Sequence, residues 1–211
     1  MQYKIKAIIF DMDGVLIEAK DWHYEALNKA LGIFGFEISR YDHLVTYDGL
    51  PTSTKLQMLS KEYGLPEKLH KFINDLKQKY TMELISVNCK PIFFHEYALS
   101  KLKSEGYQIA CASNSIKNTI NVMLTKSDLM RYMDEILSAD DVSMPKPDPE
   151  MYINTIKKLN RLPEECLIIE DNEKGILAAR ASKAHVLEVD EIEEVNYENI
   201  ISMIKKIEGR A

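Results

Sequence analysis

Cysteine is scarce, with three residues in a chain of 211. Cys89, Cys111 and Cys166 stand far apart, without the CxxC or Cys/His spacing that zinc or dithiol chemistry requires; they read as buried, reduced thiols. The five histidines are equally dispersed, and no two sit at i, i+4 on one helix as a zinc site would place them. No apolar run approaches the roughly 20 residues that cross a bilayer. The start, Met1-Gln2-Tyr3-Lys4, leads straight into a strand-like run with no signal-peptide core, so a soluble cytoplasmic protein is expected, with no membrane partner. A basic excess is also missing: 27 Lys and Arg face 33 Asp and Glu, for a net charge of -6, and the lysines are scattered. Nucleic acid is therefore not expected as a partner. Internal repeats, low-complexity tracts and long linkers are absent.

What remains is an ordinary globular composition. Hydrophobic residues make up 45% and charged residues 28% of the chain, which suits one well-buried domain carrying a smaller one. Ile5-Lys6-Ala7-Ile8-Ile9-Phe10 is a short β-branched run that stops at Asp11-Met12-Asp13-Gly14, a buried strand followed by a turn. Similar runs recur at Gln108–Ala112, Cys166–Ile169 and His185–Val189, with a weaker one at Glu135–Leu137. Helical patterns lie between them: Tyr97, Ala98, Leu99 and Leu102 ahead of Gly106, and Met151, Tyr152, Thr155, Ile156 and Leu159 after a proline-rich start. A last helix carries Ile200, Ile201, Ile204 and Ile207 on one face. Strands alternating with helices predict an α/β fold with a Rossmann-like parallel sheet covered on both faces.

From Ile17 to Leu84 the strand signal disappears. Leu69, Phe72, Ile73, Leu76 and Tyr80 form an apolar stripe at helical spacing, and several such helices can bury their stripes against one another as a small bundle. The expected organisation is an α/β core from residues 1–16 and 85–211, with an α-helical cap domain over 17–84 inserted after the first strand. The short connections at its ends would serve as hinges.

Ligands of an open parallel sheet bind beyond the carboxyl ends of its strands. Three strands deliver Asp11 with Asp13, Ser113 with Asn114, and Glu170 with Asp171, and a loop brings Lys146. Four carboxylates converging on one place demand a compensating cation. Oxygen-only ligands point to magnesium, a hard ion that shares its coordination with substrate phosphate. A carboxylate can also attack phosphorus, and the resulting aspartyl-phosphate divides one difficult displacement into two easier ones.

Phe10-Asp11-Met12-Asp13-Gly14-Val15-Leu16 resembles the signature of the haloacid dehalogenase superfamily. Ala112-Ser113-Asn114-Ser115, Lys146-Pro147-Asp148-Pro149, and Ile169-Glu170-Asp171-Asn172 with Gly175-Ile176 resemble its later motifs in order. The helical insertion is similar to the cap of the phosphoglycolate phosphatase and β-phosphoglucomutase group. The resemblance implies a magnesium-dependent phosphatase acting on a small phosphorylated metabolite, such as a sugar, glycerol or amino-alcohol phosphate. It implies Asp11 as nucleophile and metal ligand, and Asp13 as acid/base and, through its backbone carbonyl, metal ligand. Ser113 and Asn114 would bind the phosphoryl group, Lys146 would neutralise its charge, Asp171 would complete the metal shell, and Glu170 would act from behind it through water.

The group also contains a sugar phosphomutase, which is the alternative reading; a non-catalytic phosphate-binding protein is a third. The mutase group usually places an Arg soon after a cap glycine to hold a second phosphate. Here that position appears as Thr52 in Asp48-Gly49-Leu50-Pro51-Thr52-Ser53-Thr54-Lys55, which favours hydrolysis, with Lys55 only a point-charge substitute. Asp48, Thr52 and Lys55, read as an exposed cap loop, are candidates for recognising the alcohol portion; the resemblance puts His23 where the mutase couples cap closure to the acid/base, and a partly buried helix residue beside Trp22 is the other reading of it. Nothing in the sequence argues for strong oligomerisation, so a monomer or weak homodimer is expected.

Overall fold

The computed structural model describes residues 4–210; Met1–Tyr3 and Ala211 lie outside the described residues. The chain forms two compact units, one from residues up to Glu18 together with those from Lys90 onward, the other from Ala19–Cys89.

The first strand, β1 (Ala7–Phe10), is buried at every position, as expected for a central strand with both faces covered. The chain then enters the helical unit through α1 (Lys20–Gly32), and a short α2 (Arg40–Asp42) passes into a π turn at His43–Tyr47. Next come α3 (Thr52–Tyr63), closed by Gly64 in the left-handed region at φ 72°, and α4 (His70–Asn88). Leu27, Ala30, Leu31, Ile38, Tyr47, Leu56, Leu59, Leu65 and Ile73 form the core of this unit. Of the sequence stripe on α4, Ile73 is fully buried and Leu69, Leu76 and Tyr80 pack at the margin. Phe72 is 54% exposed and meets Phe34 edge-on. The stripe is thus narrower than its spacing suggests.

The α/β unit resumes with α5 (Phe93–Ser104), β2 (Gln108–Ala112), α6 (Lys117–Lys126), β3 (Glu135–Leu137) and α7 (Glu150–Lys158). It ends with β4 (Cys166–Glu170), α8 (Glu173–Ala181), β5 (His185–Glu188) and α9 (Tyr197–Ile207). All pairings are parallel, in the order β3-β2-β1-β4-β5. Two strands are therefore added on each side of β1, which joins the halves of the sheet. Ile200 and Ile204 of α9 are buried, as their spacing requires. No helix among the described residues is long and apolar enough to cross a membrane.

Register positions the chemistry. Phe10 lies beside Cys111 on one side and Ile169 on the other, so Asp11, Ala112 and Glu170 leave the sheet at one level. The Asp11 amide donates to the Ile169 carbonyl at 3.0 Å and the Ser113 amide to Leu137 at 3.1 Å, carrying the ladder one residue beyond each strand.

Candidate active site

The turn after β1 is built around one carbonyl. Leu16 and Ile17 both donate their amides to Met12 O, at 3.0 and 2.9 Å, while Gly14 N reaches Ile17 O at 2.8 Å. Gly14 adopts φ 91°, a conformation other residues reach only with strain, and this reversal lets Asp11 and Asp13 share one turn.

Asp11 is buried, and its Oδ1 accepts from Lys146 Nζ at 2.6 Å. The same ammonium donates to Glu170 Oε1 at 2.6 Å and to the Tyr152 hydroxyl at 2.7 Å. Lys146 is only 4% exposed and Glu170 1%, so these charges are held by one another rather than by water. The other Glu170 oxygen accepts from the amides of Asp171 and Asn172 at 3.1 and 3.3 Å. Glu170 also presses against α8: a Cβ on Gly175 would overlap its carboxylate, so the glycine is required by close approach.

The loop that presents Lys146 is fastened at both ends. Asn114 Oδ1 accepts from the Lys146 amide at 3.0 Å, and Asn114 Nδ2 donates to the Lys146 carbonyl at 3.3 Å. At the start of α7, Glu150 accepts from the amides of Ser143 and Met144, and these backbone bonds hold its carboxyl below the usual range. The structure thus brings Asn114 onto the main chain of Lys146. Asp13 is held differently, its Oδ2 accepting from Ser115 Oγ at 3.0 Å and from Ser113 Oγ at 3.4 Å.

One carboxylate oxygen from each of Asp11, Glu170 and Asp171 lies within 4.8 Å of the others. The Asp13 carboxylate is not part of this trio. Burial pushes the Asp11 carboxyl well above its ordinary value; Lys146 opposes this, and Glu170, Asp171 and Asp13 add to it. Burial by itself would lower the Lys146 ammonium, but Asp11 and Glu170 outweigh it and hold the group above its ordinary value. One ammonium among these carboxylates leaves negative charge in excess. An oxygen-only donor set with such an excess fits a hard divalent cation.

Two further residues contribute. In sequence Tyr152 reads as one residue of an apolar helix stripe, yet its hydroxyl donates to Glu170 Oε1 at 2.6 Å. Ser115 was only part of a motif, yet it makes the shorter of the two serine contacts to Asp13. A hydroxyl on an otherwise apolar stripe was the available signal for Tyr152.

In the helical unit, His23 Nδ1 lies 3.2 Å from Lys77 Nζ. The stretch expected as an exposed loop is one only to Pro51: α3 starts at Thr52, and Lys55 in its first turn is 7% exposed. A charged residue among Thr and Ser looks like loop in sequence, but its position on the inner side of α3 buries it. His43, close to Tyr24 at 4.9 Å between ring centroids, is buried with neither ring nitrogen hydrogen-bonded among the described residues. Burial, reinforced by Lys55, lowers its pKa to about 4.

A carboxylate-bearing turn, a buried lysine and an acidic trio thus stand together at the carboxyl edge of a parallel sheet. Residues 8–189 match the family of haloacid dehalogenase-like hydrolases, and the chain belongs to that family. It is 28% identical to a phosphorylated carbohydrates phosphatase of Thermotoga maritima, over 84% of this chain and 82% of that protein. It is 30% identical to a phosphoglycolate phosphatase of Aquifex aeolicus, over 83% and 80%. Among solved structures, a β-phosphoglucomutase of Clostridium difficile superposes with a TM-score of 0.83 at 26% identity, covering 96% of this chain and 98% of that one.

Proposed function

We propose that the protein is a magnesium-dependent phosphatase that hydrolyses a small phosphomonoester, a sugar, glycerol or amino-alcohol phosphate, through an aspartyl-phosphate on Asp11. The observation that carries this reading is the Lys146 ammonium at 2.6 Å from both Asp11 and Glu170, beside the acidic trio. Phosphoryl transfer needs little covalent help but much positioning and charge neutralisation, and a buried ammonium beside an attacking carboxylate supplies both. Family membership and relatives named as phosphatases support the same reading.

In the first step an Asp11 oxygen forms a bond to phosphorus as the bond to the alcohol oxygen breaks. Asp13 gives its proton to that oxygen. In the second, Asp13 takes a proton from water, whose oxygen attacks phosphorus and frees Asp11. Ser113 hydrogen-bonds the phosphoryl oxygens with help from Asn114, and Lys146 balances the charge that develops on them. Asp11, Asp171 and the Asp13 carbonyl would hold magnesium, with Glu170 behind them. Magnesium there would neutralise the excess carboxylate charge and orient the phosphate. The helical unit is taken as the cap that selects the leaving alcohol, with Asp48, Thr52 and Lys55 as candidates for that contact and His23 for coupling cap closure to the acid/base, and the enzyme as a cytoplasmic monomer or weak dimer.

A sugar phosphomutase is the second reading, favoured by the likeness to a β-phosphoglucomutase structure. Thr52 at the point where that group usually carries an arginine weighs against it. Phosphate release from a panel of phosphomonoesters, with magnesium or EDTA and with Asp11→Asn in parallel, tests the proposal. The panel includes β-glucose 1-phosphate, with sugar 6-phosphate followed as a second product. Magnesium-dependent release that vanishes in the variant is expected; isomerisation without release would replace the phosphatase by the mutase.

A further inference from the structure

The Lys146 ammonium has three protons to donate, and three acceptors receive them: Asp11 Oδ1, Glu170 Oε1 and the Tyr152 hydroxyl, at 2.6, 2.6 and 2.7 Å. The Tyr152 hydroxyl passes its own proton to Glu170 Oε1 at 2.6 Å. Lys146, Tyr152 and Glu170 therefore close a three-membered ring of hydrogen bonds in which every proton has one direction. Tyr152 is fully buried and its ring belongs to the sheet-side core with Ile9, Ala110 and Met151. The ammonium also stands 4.5 Å from the centroid of that ring. Burial, with Glu170 and Asp11 nearby, raises the phenol well above its ordinary value, so it stays a neutral hydroxyl, able to donate to the acid and accept from the cation at once.

We propose that Tyr152 is a positioning residue for phosphoryl transfer: by bridging Lys146 and Glu170 it fixes the rotation of the ammonium, so that one N–H is aimed at Asp11. It touches neither the reacting phosphorus nor Asp11, and it acts through Lys146. The inference rests on the phosphatase reading. Without the hydroxyl, the third ammonium proton loses its acceptor and the ammonium is free to turn away from the nucleophile. A buried charge held by fewer hydrogen bonds reorganises during reaction, and that raises the barrier without weakening ground-state binding.

Tyr152→Phe keeps the ring and its packing and removes only the hydroxyl. With p-nitrophenyl phosphate and magnesium, kcat should fall roughly 10- to 100-fold at a KM changed less than about twofold. A residue that merely filled the core would leave kcat intact in this variant. The second readout needs no turnover. A fully hydrogen-bonded buried ammonium exchanges its protons slowly enough to give a 1H–15N correlation, assigned to Lys146 by its loss in Lys146→Met. In Tyr152→Phe that signal should broaden or vanish, whereas Tyr152→Leu should show the same kinetic loss together with a lower Tm. An unchanged kcat or an unchanged Lys146 signal in Tyr152→Phe overturns the inference. If native protein hydrolyses no phosphomonoester, the phosphatase reading falls and takes the kinetic claim with it. Active native protein with an active Tyr152→Phe variant removes the role of Tyr152 alone.

Discussion

Each unit buries polar groups, and two places show different arrangements. At the edge of the sheet, charge is buried with partners: Lys146 reaches Asp11, Glu170 and Tyr152 within 2.7 Å, and Tyr152 reaches Glu170 at 2.6 Å. In the helical unit the core is mostly aliphatic around Tyr47, and His43 is buried beside Tyr24 with both ring nitrogens lacking hydrogen bonds among the described residues. Buried charge with several partners is rigid and costly to disturb, whereas a neutral imidazole can sit in apolar surroundings until it is asked to ionise.

Loss of the ammonium that holds the first unit's charges should be the most damaging change. Lys146→Met leaves Asp11 and Glu170 without their shared partner. It should lower stability by about 3–5 kcal/mol and kcat by about 100- to 1000-fold, read by chemical denaturation and phosphate release. In the helical unit the corresponding blow is to the aliphatic core. Ile73→Ala should lower stability by about 2–5 kcal/mol without altering the electrostatics of the sheet edge, so thermal melts should shift while the Lys146 ammonium signal persists.

A smaller steric change sharpens the contrast. Gly175→Ala drives a methyl into the Glu170 carboxylate, costing about 1–3 kcal/mol and weakening magnesium binding, which calorimetric titration would measure. Should Gly175→Ala bind the ion as well as native protein, Glu170 is not held by α8 in the way described.

The mildest test is pH. His43 titrates near 4 when folded against an ordinary 6.5, so between those values the unfolded chain binds a proton that the folded protein does not. Stability should therefore decline as pH falls from about 6.5 towards about 4. His43→Phe should flatten that decline in denaturation curves recorded across the window.

Local signals were the ones visible in the sequence. The strand ends at Asp11, Ser113 and Glu170 follow from apolar runs that stop at polar residues, and register then levels them. For Asn114 the resemblance implies help at the phosphate, and the structure adds what no sequence signal carries, an amide clamping the Lys146 main chain. Tyr152 was hidden because its place on an apolar stripe already explained it. Lys55 was hidden because charge in a polar stretch reads as exposure, and only the packing of α3 turns it inward. Gly175 belonged to a motif, but its reason, the Glu170 carboxylate against its Cα, exists only once β4 and α8 are packed.

The proposed mechanism requires that Asp11 carry the phosphoryl group. Acid quench of native protein during turnover of a phosphomonoester with magnesium, followed by mass spectrometry of its peptides, tests it most directly. A phosphoryl adduct on the peptide containing Asp11, absent from Asp11→Asn, is the expected result. Sustained phosphate release with no adduct, or with an adduct on another residue, would contradict it.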